Sequence, residues 1–199
     1  MKLVVLTGGI GAGKSAVTKR LAERGAVIVD ADGIVRELQV PGAPLLKVLA
    51  ERFGAHIINP DGSLDRAGLA AIAFKDDEST EALNGIMHPA VRAEIRRRID
   101  AERGSDHVVV LDTPLLTVVE GLRHQGMVVV DTPLELAVAR VVEQRGLPED
   151  DVRARIDKQI SREERVALAD FVVDNGGDLP HLEAQVDALW AWIAGRPDD

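Results

Sequence analysis

Hydrophobic positions along this chain follow two rhythms. Leu3–Thr7, Val27–Asp30, Val108–Asp112, Met127–Asp131 and Phe171–Asp174 are short apolar runs rich in valine. Unbroken runs of that length suit strands buried on both faces, as in a parallel sheet covered by helices. Between them, apolar residues recur at three- and four-residue spacing. That spacing predicts helices over Lys14–Arg24, Pro44–Phe53, Asp65–Phe74, Thr80–Ala101, Leu134–Arg145, Glu149–Gln159 and Leu182–Ala194. The alternation reads as βαβ units and an α/β fold with a five-stranded parallel sheet. Four of the five runs end at an aspartate and the first ends at a glycine-rich stretch. In open parallel sheets ligands bind beyond the carboxyl ends of the strands, so these polar ends are expected around one site.

The stretch 34–103 carries no strand pattern and reads as a helical insertion, with turn chemistry at Pro41-Gly42 and at Asn59-Pro60-Asp61-Gly62. Gly146–Arg165 is dense in alternating charges with few apolar residues, the composition of a solvated helical face. The expected organisation is a core from 1–33, 104–133 and 166–199, an insertion at 34–103 and a separate region at 134–165.

The glycine-rich stretch sharpens this picture. Gly8–Ser15 reads GGIGAGKS and fits G-x-x-x-x-G-K-[ST], with Gly8, Gly13, Lys14 and Ser15 at the required places. Glycines let backbone N–H groups turn inward and meet phosphates with no Cβ in the way. A helix starting near Lys14 adds its positive end to the same spot. The Lys14 ammonium reaches the β- and γ-phosphates, and the Ser15 hydroxyl suits Mg²⁺. Gly9, Gly11, Ala12 and Ala16 complete the expected nucleotide contacts, so ATP with Mg²⁺ is the expected ligand.

Composition narrows the partners. The 199 residues suit one domain with inserted subdomains. A formal net charge of −9 argues against a nucleic-acid or anionic-membrane surface. No cysteine is present, which excludes disulfides and thiolate chemistry, and the five histidines lack metal-ligand spacing. No apolar stretch approaches the roughly 20 residues a spanning helix needs. A soluble cytoplasmic protein, monomeric or weakly homo-oligomeric, is expected.

A phosphate cradle serves kinases, GTPases and mechanical ATPases alike. No Asn-Lys-x-Asp guanine motif occurs, and the chain is short for a motor. A small-molecule kinase needs an acceptor pocket, a carboxylate near the acceptor hydroxyl, and arginines closing over the phosphoryl group. Asp30-Ala31-Asp32 ends the second predicted strand. A two-residue period would put Asp30 and Asp32 on one side, beside the cradle, with Asp32 as base or helix cap. The arginine candidates are Arg140, Arg145, Arg153, Arg155, Arg162 and Arg165, whose guanidinium groups suit bidentate phosphate recognition. Asp112 and Asp131 each end a strand and read either as an acid near the metal or as a turn cap. Asp112 is followed at once by Thr113-Pro114-Leu115-Leu116.

Taken together these strings resemble the dephospho-coenzyme A kinases. The matching pieces are LTGGIGAGKS at Leu6–Ser15, Asp30-Ala31-Asp32, Leu64-Asp65-Arg66, Leu83-Asn84 with His88-Pro89, and Asp112-x-Pro114-Leu115-Leu116. Arg155-Ile156-x-x-Gln159, Ala169-Asp170 and Asp174-Asn175-x-Gly177 follow in the family's order. The resemblance implies transfer of the ATP γ-phosphoryl group to the ribose 3′-hydroxyl of dephospho-coenzyme A, a small-molecule acceptor. It implies a P-loop NTPase-like three-layer core, a helical acceptor-binding insertion and a lid. It assigns Asp32 as base, Lys14 and Ser15 to phosphate and Mg²⁺, and Arg140 to the edge of the lid. Arg66 and His88 fall to the acceptor, with Asp112 and Leu115 beside it, and Asn175 to the nucleotide near its adenine. The chain departs from the pattern at Glu120, set two positions beyond the family's usual acid, and at Gln144, where many members carry an arginine and here Arg145 follows. It departs also at Ala16, where a hydroxyl residue is usual. The alternatives are another P-loop kinase of a small metabolite and a nucleotide-dependent regulatory protein without an acceptor.

Overall fold

The computed structural model describes residues 1–198. The chain divides into two compact units, Met1–Val29 with the chain from Glu102 onward, and Asp30–Ala101.

The first unit holds the sheet. Its strands are β1 (Lys2–Gly8), β2 (Val27–Asp30), β3 (Val108–Asp112), β4 (Gly126–Asp131) and β5 (Phe171–Asp174), in spatial order β2-β3-β1-β4-β5. β1 pairs in parallel with β3 on one side and β4 on the other, and β4 pairs in parallel with β5. The valine-rich runs therefore became the strands expected, each within a residue of its predicted bounds. Both faces are covered. Val4, Leu6, Val110, Val128, Val130 and Val173 pack with Val17 and Leu21 of α1 (Lys14–Glu23). The same cluster takes in Leu182, Val186, Leu189 and Ile193 of the last helix, Leu179–Ala194. The alternate set, Leu3, Val5, Val109, Leu111 and Val129, is equally buried. Burial of alternate residues on both sides is why the runs read as continuous rather than alternating.

Strand order reverses across β1, whose neighbours are β3 and β4, and such a switch point opens a crevice above the strand's carboxyl end. The glycine-rich loop lies there by topology alone.

The second unit is helical. It comprises α2 (Ala31–Glu37), α3 (Pro44–Phe53), α4 (Arg66–Ala73) and α5 (Asp77–Ala101), with an isolated bridge between Ile58 and Leu64 closing the Asn59–Gly62 turn. The other three helices pack on α5 through a core that includes Ile34, Leu49, Leu69, Met87, Val91 and Ile95. α5 is one helix running through Pro89, so His88-Pro89 lies in a helix interior. It starts at Asp77, earlier than the Thr80 expected.

α2 was not expected. The second strand stops at Asp30 and a helix begins at Ala31, so the two-residue strand period invoked for Asp30 and Asp32 ends before Asp32 is reached. The inference that strand alternation sets both carboxylates on one side is corrected by that boundary.

The remaining helices of the first unit are α6 (Leu134–Arg145), α7 (Glu149–Ile156), α8 (Arg162–Ala167) and α9, the Leu179–Ala194 helix already met. α6 and α7 close on Val138, Val141 and Val152, a small core of their own against which Ile10 of the glycine-rich loop packs. α7 ends three residues before the expected Gln159. No helix among the described residues is long and apolar enough to cross a membrane.

Candidate active site

β1 delivers the chain to Gly9 and α1 takes it away at Lys14. Gly11 and Gly13 adopt φ of 73° and 84°, the left-handed region that side chains other than glycine's rarely enter. Close approach adds a second constraint. A Cβ built on Gly13 would lie 2.2 Å from Asn175 Nδ2, and one on Gly11 would lie 2.4 Å from the Ala137 carbonyl oxygen. The loop is thus pressed between the β5–α9 connection and the first turn of α6, and only glycine fits.

The turn is closed by Ala12 N–H donating to the Gly9 carbonyl at 3.1 Å, and Ala16 N–H donates to the Gly13 carbonyl at 3.0 Å. The N–H groups of Gly11, Gly13, Lys14 and Ser15 find no acceptor among the described residues. α1 starts at Gly13 with no side-chain cap and no acidic residue in its first turn. A helix start left in that condition presents partial positive charge to whatever anion arrives. The half-buried Lys14 ammonium has no ion pair or hydrogen bond among the described residues, and the Ser15 hydroxyl is exposed. Open amides, an uncapped helix and a cation without a counter-ion converge on eight residues.

Sequence reasoning missed how the loop is held. Asn175 is 5% exposed, and its side-chain amide donates to the Ala12 carbonyl at 2.8 Å. The buried Thr132 hydroxyl donates to the same carbonyl at 3.1 Å and lies 3.3 Å from the Asn175 carbonyl oxygen. Arg140 Nη1 reaches Thr132 Oγ1 at 3.5 Å. Asn175 therefore contacts the loop backbone rather than opening onto solvent. Thr132, directly after the β4 aspartate, carried no motif that would have drawn attention to it.

The arginines sort by their partners. Arg153 is gripped by Glu135 and Glu149, and these hydrogen bonds raise its pKa. Arg162 holds Asp131 with two parallel bonds of 2.8 and 2.6 Å, which raises the pKa of Arg162 and occupies the acid once considered for a metal. Arg140 and Arg165 lie against the loop with no carboxylate partner among the described residues; Arg145 and Arg155 are exposed. A cavity of about 570 Å³ opens between Gly9–Ala12, the end of β4 and the segment Gln159–Arg165, within the size range of ligand pockets.

Asp112 ends β3, in register with Leu6 of β1. The buried Thr113 hydroxyl bridges the Leu115 N–H and carbonyl, both at 3.1 Å, which leaves the Leu115 side chain half exposed on a shaped turn. Glu120 is exposed beyond that turn.

In the helical unit, Asp30 closes β2 and accepts from Arg36 at 3.1 Å. Gly33 makes room for it, since a Cβ there would lie 2.7 Å from Asp30 Oδ2. Asp32 stands exposed in the first turn of α2, with no ion pair among the described residues. Arg66 opens α4, where Asp65 caps the helix by accepting from Gly68 N–H at 2.9 Å. Its guanidinium donates to the buried Gln39 amide oxygen, while the Gln39 nitrogen faces Met87 Sδ at 3.7 Å, beside His88.

A hard divalent cation fits this chemistry only in part from the protein side. No group of three or more His, Cys, Asp or Glu that could hold a metal occurs among the described residues. The Ser15 hydroxyl is an oxygen donor of the type Mg²⁺ uses when it shares its shell with phosphates and water.

Known proteins resemble the chain over its whole length. The family model described as dephospho-CoA kinase matches residues 2–181. The dephospho-CoA kinase of Corynebacterium glutamicum is 49% identical over 199 residues, covering 98% of this chain and 99% of the relative. Among solved structures, a Thermus thermophilus protein shares the fold with a TM-score of 0.81 at 31% identity, covering 98% of each chain. The dephospho-CoA kinase of Campylobacter jejuni gives 0.66 at 25% identity, covering 96% of this chain and 97% of its own.

Proposed function

The chain belongs to the dephospho-CoA kinase family, and from that premise we infer that it transfers the γ-phosphoryl group of ATP to the ribose 3′-hydroxyl of dephospho-coenzyme A, giving coenzyme A and ADP. The observation that carries the reading is the loop at Gly8–Ser15, with four amides and Lys14 left without partners among the described residues at the start of an uncapped helix. That arrangement is matched to a polyphosphate tail.

In this reading Gly8, Gly9, Gly11, Ala12, Gly13 and Ala16 shape the loop, and Lys14 neutralises charge developing on the transferring phosphoryl group. Asp32, exposed at the head of α2, takes the proton of the acceptor hydroxyl. The 3′-oxygen then forms its bond to the γ-phosphorus, the bond from that phosphorus to the bridging oxygen breaks, and the electron pair leaves on ADP. Arg140 steadies the phosphate side, and Asn175 acts on the nucleotide through the loop it holds. Arg66 and His88, with Asp112 and Leu115, bind the acceptor, so 34–103 is the acceptor-binding insertion and 134–165 the lid. Mg²⁺, held at the Ser15 hydroxyl, would supply charge neutralisation on the phosphates. The net charge of −9 argues against a nucleic-acid or anionic-membrane partner and still leaves room for a local basic pocket that takes a small anionic metabolite, and we assign the protein to the cytoplasm. We extend the reading to a monomer or weak homo-oligomer.

The test is ADP release from Mg·ATP with a panel of acceptors. Strong stimulation by dephospho-coenzyme A, and weak or none by nucleoside monophosphates and sugars, is expected. Equal rates with and without any acceptor would instead favour a regulatory nucleotide-binding protein.

A further inference from the structure

Gln159 lies between α7 and α8, in a motif singled out by sequence and left without a role. Its side-chain oxygen accepts from the Ile10 N–H of the phosphate loop at 3.2 Å and from Arg165 Nη2 at 3.4 Å. The same Arg165 nitrogen donates to the Ile160 carbonyl at 2.9 Å. The other, Nη1, lies 2.8 Å from the point where a Cβ on Gly9 would stand, so the absence of a side chain at Gly9 is what admits the guanidinium to the loop. Ile10 is also the loop's hydrophobic tether, packed against the α6–α7 core.

The partners of Arg165 are the decisive detail. Its acceptors among the described residues are neutral carbonyl oxygens, whereas Arg153 and Arg162 are each claimed by carboxylates. Desolvation lowers the pKa of Arg165, opposed by the charge of Asp131 nearby. A guanidinium oriented by neutral groups, partly stripped of water and with no paired carboxylate among the described residues keeps its full charge for an anionic ligand. A glutamate at 159 would hold the same position but would neutralise it.

We propose that Gln159 is a positioning residue that fastens the lid to the phosphate loop and holds Arg165 over Gly9 to engage the phosphate tail of the nucleotide. The identity of the ligand rests on the kinase reading above; the coupling between Gln159 and Arg165 does not. Among the lid arginines, this singles out Arg165 and makes its action conditional on an amide that touches no reacting atom.

A double-mutant cycle tests it, with kcat, KM for ATP and Mg·ATP affinity measured for Gln159→Ala, Arg165→Ala and the pair, and with Tm as the fold control. Gln159→Ala should lower kcat about ten-fold, with the double variant no worse than Arg165→Ala alone, because groups acting as one unit are not additive. Gln159→Glu should keep Tm and the Ile10 contact yet lose kcat to a similar extent, which a purely structural role would not produce. Additive losses in the cycle, or full activity in Gln159→Glu, would overturn the proposal. Mg·ATP affinity needs no acceptor, so the cycle stays readable even if wild-type protein fails to phosphorylate dephospho-coenzyme A, a result that would sink the kinase reading instead.

Discussion

Two side chains, Lys14 and Asn175, decide whether the phosphate loop is a binding site or merely a turn. Lys14 faces no counter-ion among the described residues, so its removal disturbs no internal pair. Lys14→Ala is expected to cut turnover by about 100-fold or more while leaving Tm near the wild-type value, since the role proposed for it is to neutralise transition-state charge. Asn175 is the opposite case, buried and bonded to the Ala12 carbonyl. Asn175→Ala should lower stability by about 1–3 kcal/mol in denaturant titration and weaken Mg·ATP binding together, because a buried acceptor loses a partner and the loop loses its brace. Asp32 was legible as a candidate from the DAD string, but for a reason the structure does not support. It belongs to a helix rather than to a strand's alternating face. Asp32→Asn should lower kcat by about 100-fold or more with a much smaller change in acceptor KM, as expected of a base engaged only when the proton moves.

At the scale of elements, β1, β3 and β4 were readable because they are buried on both faces and so appear as uninterrupted apolar runs, and the edge strands β2 and β5 carry the same valine-rich signal although β5 leaves Val172 exposed. α2 was not, because Asp30 ends a strand and stands at a helix start at once, with no turn residue between to mark the change. α8 was hidden for another reason. The charged stretch has no apolar stripe, and α8 buries no residue. Its signal was the capping box from Ser161 to Glu164, in which each side chain satisfies the other's backbone N–H. α5 shows the electrostatics that such elements carry. Hydrogen bonds from Arg97 and then Arg98 hold the Glu94 carboxyl at a pKa of about 2, against an ordinary value of 4.5. A carboxylate with a depressed folded-state pKa stabilises the fold in full above its unfolded value. That contribution fades as pH falls from about 4.5 toward 2. Acid titration of stability should therefore be shallower in Glu94→Gln than in wild type across that window, and parallel to it above pH 5.

On the scale of the whole molecule, the sequence revealed the sheet, the loop after its first strand and the helical character of the stretch between β2 and β3, since each leaves a periodic or motif-like trace. What held the loop in place was not readable. Thr132, Asn175 and Gln159 come from segments far apart in the chain, and only the closing of the sheet brings them to Ala12 and Ile10. The central claim is that this assembly moves a phosphoryl group onto one hydroxyl of one acceptor. It is tested most directly by mass spectrometry of the nucleotide and thiol products after incubation with Mg·ATP and dephospho-coenzyme A. The account predicts one coenzyme A for each ADP formed, with the new phosphate on the ribose 3′-oxygen. ADP accumulating while dephospho-coenzyme A keeps its original mass would contradict it.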